Sequence, residues 1–336
     1  MLQVIWYLLI AVLFAGYAVL DGFDLGVGTL YPFLAKTETE RKALRHAIGP
    51  VWDGNEVWLL TAGGALFAAF PMVYATVFSG FYLALMLVLF GLILRAVSLE
   101  FRARDEEWAR VWDLAFFFGS AVPSLLFGVA VGNLVRGVPL DANGVYAGTF
   151  FTLLNPYALL IGLVGLAMFI AHGAAWAAVK TSGGLQARAI RVRSAAHWAF
   201  TALVAAATVT TALMVPQQFS RNLSSATGLV MALLLVAGIV YARLEMARGR
   251  DSGAFLGSAA SIIGLVGLWF AGNFPALVPA LGDARRSLTI HNAASSSLTL
   301  TVMLTIALIG VPLVLTYTVI IYRVFAGKVH GDEAGN

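Results

Sequence analysis

The chain reads LQVIWYLLIAVLFAGYAVL over residues 2–20 and continues with DGFDLGVG over residues 21–28. The first stretch contains no charged residue, and a membrane-spanning helix needs about 20 mostly apolar residues. No basic segment precedes it and no cleavage-like junction follows it, so it does not resemble a signal peptide. We therefore expect a membrane-spanning helix here, which could continue, tilted or bent, as far as Pro32.

Runs of the same kind recur along the whole chain. Nine of them, rich in Ala, Leu and Val, lie at residues 2–20, 51–70, 74–98, 113–135, 157–179, 195–215, 228–246, 254–273 and 298–324. Backbone groups inside lipid must hydrogen-bond within their own segment, so runs of this length form helices. The alternating pattern of outer-membrane barrel strands is absent. The sequence predicts an all-α integral membrane protein with about nine transmembrane helices, in one transmembrane domain over residues 1–336.

The composition supports a membrane protein and excludes several kinds of site. Of the 336 residues, 60% are hydrophobic and 11% are charged, whereas a soluble domain has about 25% charged residues. The chain has no cysteine, which excludes disulfides, thiolate metal sites, iron–sulfur ligation and cysteine nucleophiles. The formal net charge of +4 does not indicate nucleic-acid binding. No nucleotide-binding signature occurs, which argues against an ATP-driven pump.

The distribution of basic residues predicts the orientation of the chain. Sixteen of the 21 Lys and Arg residues lie at one set of helix ends and four at the opposite set, with Arg95 inside a run. Basic residues concentrate in cytoplasmic loops. We therefore expect the N-terminus outside the cell membrane and the C-terminus inside. The longest connection, 274–297, is too short to hold a soluble domain.

Charged residues inside the apolar runs mark a candidate site, because each costs about 2.5–3.5 kcal/mol to insert near the middle of a span. They concentrate in the first third of the chain: Asp21, Asp24, Asp53, Glu56, Arg95 and Glu100. Acids three residues apart share one helical face. We expect four of these acids, Asp21, Asp24, Asp53 and Glu56, to form one buried polar site with Arg95 that relays protons or ions, with Glu100 on the same proton path. A structural ion-pair network and a solvated inner mouth remain open alternatives.

Three residues near Asp53 are candidates to line that site. Trp52 and Trp58 flank the acid, and Asn55 lies between them. Elsewhere, aromatic residues at helical spacing are more typical of a core or a lipid-facing surface than of a quinone-binding site. We expect this chain to have no directly catalytic residue and no identifiable cofactor-binding residue.

Glycines predict close helix packing near the acids. Gly22 and Gly26 form a small-xxx-small pair, which lets a second helix approach closely. Gly63 and Gly64 would do the same for the second run. The stretch lacks the Lys-Ser/Thr ending of a phosphate-binding loop and the oxygen spacing of a calcium loop.

The histidines do not predict a metal or haem site. They are His46, His172, His197, His291 and His330. Haem or metal binding in a helix bundle requires histidines on facing helices at matched depth. Four of the five lie in loops or near helix ends, and His172 stands alone in the fifth run. The sequence predicts packed or interfacial histidines, no metal site and no haem ligated by this chain.

Several motifs resemble subunit II of the cytochrome bd quinol oxidases, including the cyanide-insensitive members. The strongest are GPVWDGNEVWL at 49–59, TAGGALFAA at 61–69, DGFDLG at 21–26 and FSGFY at 78–82. Weaker matches are GNL at 132–134, GVP at 137–139 and LLNP at 153–156. The resemblance extends over the chain in length and helix count, and its motifs are dense over 16–156.

The resemblance implies an architecture and an activity. Two four-helix bundles, about 1–150 and 151–275, would be followed by a peripheral helix at about 298–324. A partner of similar fold, subunit I, would carry two b-type haems, one d-type haem and the quinol-oxidising loop. The complex would oxidise ubiquinol or menaquinol and reduce O2 to water without pumping, taking protons from the cytoplasm. It would lie in a bacterial or archaeal cell membrane, with lipid, a structural quinone and a small single-helix subunit as further components.

The resemblance also implies roles for particular residues. Asp53 matches the acid of the Trp-Asp-Gly-Asn motif, which belongs to a proton path toward the haems. Asp24 and Arg95 match polar positions of the same path, and Asp21 matches the neighbouring acid. Glu56 stands where some members carry Gln.

Two other functions compete with an accessory oxidase subunit. One is a proton-coupled secondary transporter, but transporters with repeats usually show matching polar breaks in both halves, and the second half of this chain lacks them. The other is a purely structural subunit whose polar cluster fixes helix packing. The residues alone do not separate these functions, and the resemblance favours the oxidase subunit.

Overall fold

The computed structural model describes residues 1–329, and helices make up most of this part of the chain. The helices are α1 (Leu2–Leu34), α2 (Glu38–Ile48), α3 (Trp52–Ala69), α4 (Pro71–Gly80), α5 (Tyr82–Phe101), α6 (Ala109–Arg136), α7 (Phe150–Leu153), α8 (Pro156–Lys180), α9 (Gly183–Met214), α10 (Pro216–Ser224), α11 (Ala226–Ala247), α12 (Asp251–Asn273) and α13 (Ser297–Val324). Between α12 and α13, strands β1 (Ala276–Val278) and β2 (Leu288–Thr289) pair antiparallel.

Eight helices within residues 1–329 are long and apolar enough to cross a membrane: α1, α5, α6, α8, α9, α11, α12 and α13. The second predicted run also forms a helix, α3, which is 18 residues long. Its first turns carry Asp53, Asn55 and Glu56, so its polarity separates it from the other eight. The prediction of an all-helical membrane protein is confirmed. The orientation of the chain and its division into two bundles near residue 150 stay predictions.

Several predicted boundaries differ from the structure. The run predicted at 195–215 begins earlier, at Gly183. The first helix continues through Pro32 to Leu34. The run predicted at 74–98 is divided, because α4 ends at Gly80 and α5 begins at Tyr82, and the backbone of Phe81 between them is not helical. The connection at 216–227 contains the short helix α10, which begins at Pro216. Proline favours the first turn of a helix, where its missing N–H is not needed.

Helix α1 is central in the fold and packs against α3, α6, α8 and α12. Its closest crossing is with α8. A Cβ atom added at Gly26 would lie 2.8 Å from the Cα atom of Gly173. The predicted close approach at the Gly22–Gly26 pair therefore occurs, and its partner is α8. By contrast, Gly63 and Gly64 on α3 have no neighbouring atoms within 4 Å of an added Cβ atom among the described residues.

A second close crossing positions Arg95 on α5. A Cβ atom added at Gly119 of α6 would lie 2.7 Å from the backbone nitrogen of Arg95. Helices α5 and α6 thus touch backbone to backbone at this level. Since α6 leaves no room on that side, the long Arg95 side chain extends toward α1 and α3.

Helix α13 lies at the periphery, and almost none of its apolar surface is buried in this chain. Two contacts hold its first half: Trp6 Nε1 donates to Leu300 O at 3.0 Å, and Ser295 Oγ donates to Ala68 O at 2.6 Å. After its last turn, Val329 N donates to Lys180 O at 2.7 Å. The helix is therefore attached mainly at its two ends.

Candidate functional site

A fully buried arginine joins three helices of the fold. Arg95 on α5 has no exposed side-chain area, and neither has Asp21 on α1. Arg95 Nη1 donates to Asp21 Oδ2 at 3.0 Å, and Nη2 lies 2.8 Å from Asp21 Oδ1. Nη2 also donates to Glu56 Oε1 of α3 at 2.5 Å. The predicted polar cluster on the first three membrane runs therefore exists, and Arg95 is at its centre.

The second acid of α1 belongs to the same site but has a neutral partner. Asp24 is completely buried, and its Oδ2 atom accepts a hydrogen bond from Asn55 Nδ2 at 2.7 Å. Asn55 Nδ2 also donates to Leu20 O at 3.0 Å. The Oδ1 atom of Asp24 is buried and has no hydrogen-bond partner within residues 1–329. Asp24 thus has one oxygen fixed by an amide and one left unused.

The local structure explains why these residues meet. Asp21 and Asp24 are three residues apart in α1, and Trp52 and Asn55 are three residues apart in α3. Residues at this spacing are neighbours on a helix surface. Helices α1 and α3 pack together, which brings Asn55 to Asp24 and Glu56 to the guanidinium. We call Asp21, Asp24, Asn55, Glu56 and Arg95 the buried polar site. No cluster of metal-ligating side chains occurs among the described residues.

Two acids assigned to this site lie elsewhere. Asp53 and Glu100 are exposed, so the expectation that all the acids are buried together is wrong for Asp53. The reason is geometric, since Asp53 lies in the first turn of α3 and faces away from α1 while Asn55 faces toward it. Glu56 is intermediate, with 22% of its side chain exposed.

The two candidate tryptophans do not hydrogen-bond to any acid. Trp52 and Trp58 are partly buried. The Nε1 atom of Trp58 is buried without a hydrogen-bond partner in the described chain, and its ring lies against Gly16 of α1. Trp58 therefore packs one helical turn from the site, and Asn55 is the one of the three proposed lining residues that contacts an acid.

His197, expected near a helix end, lies within α9 and is buried. The histidine of the fifth predicted run is held by packing. His172 on α8 is fully buried. Its Nδ1 atom lies 2.6 Å from Ser258 Oγ and its Nε2 atom 3.0 Å from Val19 O. Its ring stacks on Phe255 at 4.5 Å. Since both ring nitrogens are hydrogen bonded, His172 does not fit a haem ligand. His330 lies outside the described residues.

Sequence reasoning missed one contributor to the site. The hydroxyl of Tyr322, in the last turns of α13, donates to Asn55 Oδ1 at 3.0 Å. The two residues are 267 positions apart in the sequence. A tyrosine near the end of an apolar helix gives no sign of such a contact, so only the tertiary structure could find it.

A second group of charges lies in the connections after α1 and α5. Arg102 Nε donates to Asp113 Oδ1 at 2.7 Å, and its Nη2 donates to Glu38 Oε2 at 2.6 Å. Arg41 lies 2.9 Å from Asp113, and Arg45 lies 3.4 Å from Glu38. We call these five residues the loop ion-pair network. Unlike the buried polar site, it reaches water through Glu38, whose side chain is 58% exposed.

The family of the chain follows from a match over almost its whole length. Residues 2–325 match the family described as cytochrome bd terminal oxidase subunit II. The chain belongs to this family. It is accordingly a multi-pass membrane protein and a subunit of a quinol oxidase complex. This complex is a terminal oxidase of respiration.

Relatives from several bacteria agree with this assignment to the bd oxidase subunit II family. The chain is 39% identical to the probable cytochrome oxidase subunit 2 of Haemophilus influenzae, over 98% of this chain and 96% of the relative. It is 38% identical to the cytochrome bd-I ubiquinol oxidase subunit 2 of Escherichia coli K12, over 99% and 96%. It is 36% identical to the cytochrome bd ubiquinol oxidase subunit 2 of Bacillus subtilis, over 98% and 97%.

A solved structure shares the fold. The bd oxidase from Geobacillus thermodenitrificans includes a chain that superposes with a TM-score of 0.79, over 96% of this chain and 98% of that chain. The two chains are 15% identical, so this likeness concerns the fold alone. None of these relatives is a transporter, and the oxidase subunit is favoured over the proton-coupled transporter.

Proposed function

We propose that this subunit conducts protons from the side of its C-terminus toward the reaction centre of the oxidase through the buried polar site. The observation that carries the proposal is the composition of that site. Three carboxyl groups, those of Asp21, Asp24 and Glu56, lie in one site with a single guanidinium, which pairs with two of them. Acids at such a depth are costly, and they commonly mark proton relays.

The charges of the site favour proton uptake over a purely structural role. If every group were ionised, the formal charge would be −2 with Arg95 included. An unpaired charge in a low-dielectric interior is strongly unfavourable, so a buried group takes up or releases a proton instead. A structural ion pair would need one acid for one arginine. The additional carboxyl groups are therefore the ones that can hold and pass on protons.

We assign different roles to the two acids of α1. Asp21 accepts one hydrogen bond from the guanidinium on Oδ2, and its Oδ1 lies 2.8 Å from Arg95 Nη2, so its role is to pair with Arg95 and keep it in place. Asp24 contacts no cation in the part of the chain that the structure describes. Because Asn55 occupies its Oδ2 atom, a proton bound by Asp24 would reside on Oδ1. Asp24 is thus the proton-holding group of the proposal.

The exposed acids fit the two ends of such a route. Glu100 lies five residues beyond Arg95 on α5, about 7.5 Å along the helix axis, and faces solvent. Asp53 lies on the outward face of α3, where a partner subunit could accept a proton. We propose that Glu100 is near the entrance and that Asp53 is near the exit toward the partner. Trp52 would line the exit beside Asp53.

The haems of the oxidase are proposed to lie on the partner subunit. This proposal is supported by His172, which does not fit a haem ligand because both of its ring nitrogens are engaged. We propose a heterodimer with subunit I, in which the partner's b-type and d-type haems would pass electrons from quinol to O2. Reducing O2 to two waters consumes four electrons and four protons, and this chain would contribute to delivering the protons. The complex is proposed to lie in a bacterial cytoplasmic membrane.

The decisive experiment replaces Asp24 in the complete oxidase. Asp24→Asn keeps the shape and the hydrogen-bonding capacity near Asn55 but cannot hold a transferable proton. We expect quinol-driven O2 uptake to slow by about tenfold or more, within the range of positioned acids and bases, with an unchanged haem spectrum. Glu107→Gln, at an exposed loop position, is the matched control and should retain full turnover. Unchanged turnover in Asp24→Asn would refute the proton route and leave a structural subunit.

A further inference from the structure

The last helix makes one polar contact with the buried polar site. Tyr322 donates its hydroxyl proton to Asn55 Oδ1, although α13 is otherwise nearly unburied in this chain. The Tyr322 ring lies against Phe23 and Trp176, with centroid distances of 6.5 and 6.1 Å. Its hydroxyl is therefore aimed by aromatic packing at a single acceptor.

Asn55 connects this hydroxyl to the acid. Its amide nitrogen has two protons, and they are donated to Asp24 Oδ2 and to Leu20 O. Its carbonyl oxygen accepts from Tyr322. An amide could rotate by half a turn and exchange its oxygen and nitrogen. Leu20 O can only accept, which fixes the amide nitrogen on that side, and the Tyr322 hydroxyl holds the oxygen in place by donating to it.

We propose that Tyr322 is a positioning residue for Asp24 that acts through Asn55. It holds the amide so that Asp24 Oδ2 stays occupied and proton exchange is confined to Oδ1. This inference rests on the proposed proton route, and it adds the C-terminal helix to the machinery that controls the route.

The geometry excludes Tyr322 as a proton carrier along this line. Its own proton is committed to Asn55 Oδ1, and a neutral amide does not readily accept and release protons. Because of this contact, a change in the position of α13 would change the hydrogen bonding of Asn55. Three residues after Tyr322, Phe325 O accepts a hydrogen bond from Lys180 Nζ of α8 at 2.5 Å. The position of the hydroxyl is thus fixed by contacts with α8 as well as with α3.

The test is Tyr322→Phe in the complete oxidase, which removes one oxygen and keeps the ring. We expect quinol-driven O2 uptake to fall roughly three- to tenfold, the range for losing one hydrogen bond that supports a reacting group. The pH dependence of turnover should shift in the same variant. The matched control is Tyr317→Phe, since Tyr317 lies on the same helix and its side chain is 56% exposed. Equal effects of the two variants, or no effect of Tyr322→Phe, would overturn the proposal.

A double-mutant cycle separates positioning from packing. If Tyr322 acts through Asn55, then Tyr322→Phe should have no further effect in an Asn55→Ala background. Additive effects would mean that Tyr322 acts by another route and would overturn the inference. If Tyr322→Phe does not assemble, Tyr322→Leu, which also lacks the hydroxyl, is tested through the infrared carboxyl band that Asp24→Asn abolishes. A shifted band supports the positioning role, and an unshifted band contradicts it.

The outcomes also separate this inference from the proton route. Slow turnover in Asp24→Asn with normal turnover in Tyr322→Phe would refute only the positioning role. Normal turnover in Asp24→Asn would refute the proton route itself, whatever Tyr322→Phe does.

Discussion

The buried polar site and the loop ion-pair network are both built from carboxyl groups and arginines. The buried site has more acids than arginines, and the loop network has more arginines than acids. The buried site has one arginine for three acids. The loop network has three arginines, Arg41, Arg45 and Arg102, for two acids, Glu38 and Asp113. Its positive excess agrees with the bias of cytoplasmic loops. The acid excess of the buried site has no such explanation, and this difference is why one region is a proton-route candidate and the other is a structural link.

The two regions also differ in redundancy. In the loop network, Asp113 contacts both Arg41 and Arg102, and Glu38 contacts all three arginines. In the buried site, Asp21 and Glu56 depend on Arg95 alone. A lost partner can be replaced in the first region but not in the second. The following predictions use this difference.

The largest effect is expected for Arg95→Leu. It would leave Asp21 and Glu56 buried without a cation, and breaking a buried pair in this way costs about 3–5 kcal/mol. The yield of haem-containing oxidase and its thermal unfolding midpoint measure the loss. A triple variant that adds Asp21→Asn and Glu56→Gln should recover part of the stability, because the unpaired acids are then neutral. An Arg95→Leu oxidase as stable as the parent would contradict the comparison.

A smaller effect is expected for Asp21→Asn. It removes the charge from a buried, charge-assisted hydrogen bond, and hydrogen bonds to charged groups contribute about 1.5–3 kcal/mol. Glu56→Gln should cost less, because Glu56 is partly exposed and makes one contact with Arg95. Thermal unfolding of both variants in the same detergent provides the measurement. The reverse order of stability would show that Glu56, not Asp21, holds the arginine.

Arg102→Gln in the loop network should cost less than Arg95→Leu, because one partner of Arg102, Glu38, is 58% exposed and ion pairs that water reaches contribute about 1 kcal/mol or less. Asp113 would keep Arg41 as a partner, 2.9 Å away. The difference from the parent should shrink further at high ionic strength, because salt screens exposed charges. A loss as large as that of Arg95→Leu would remove the distinction between the two regions.

The smallest effect concerns the pH dependence of an exposed pair beside the loop network. Arg188 lies 2.5 Å from Glu40, and its hydrogen bond lowers the pKa of the Glu40 carboxyl, with backbone N–H groups adding to the shift. A lowered pKa in the folded state means that the pair stabilises the protein above the ordinary Glu pKa of about 4.3. The stabilisation is lost as the pH falls through the lowered value.

The measurement compares the parent with Glu40→Gln between neutral and acidic pH. The parent should be more stable by a few tenths of a kcal/mol above about pH 5, and the difference should disappear as the pH falls below about 4. A difference that grows on acidification would mean that another group controls this region.

Much of the fold and part of the site could be predicted from the sequence. Apolar runs of about 20 residues predict helices because lipid offers the backbone no other hydrogen-bond partners, and acids inside those runs are conspicuous because they are costly. Asp21, Asp24, Glu56 and Arg95 are identified in this way. Helical spacing correctly places Asp21 and Asp24 on one face, but Asp53 does not join Glu56 in the cluster.

The sequence by itself determined the membrane-spanning character, the helical fold and four charged residues of the polar cluster, since these follow from local composition and a fixed helical period. Only the tertiary structure decided that Asp53 faces outward, that Asn55 binds Asp24 and that Tyr322 reaches Asn55. These contacts depend on which face of each helix meets its neighbour. The meeting faces are set by close crossings such as Gly26 on Gly173 and Gly119 on Arg95, which join segments far apart in the chain and leave no signal in either segment alone.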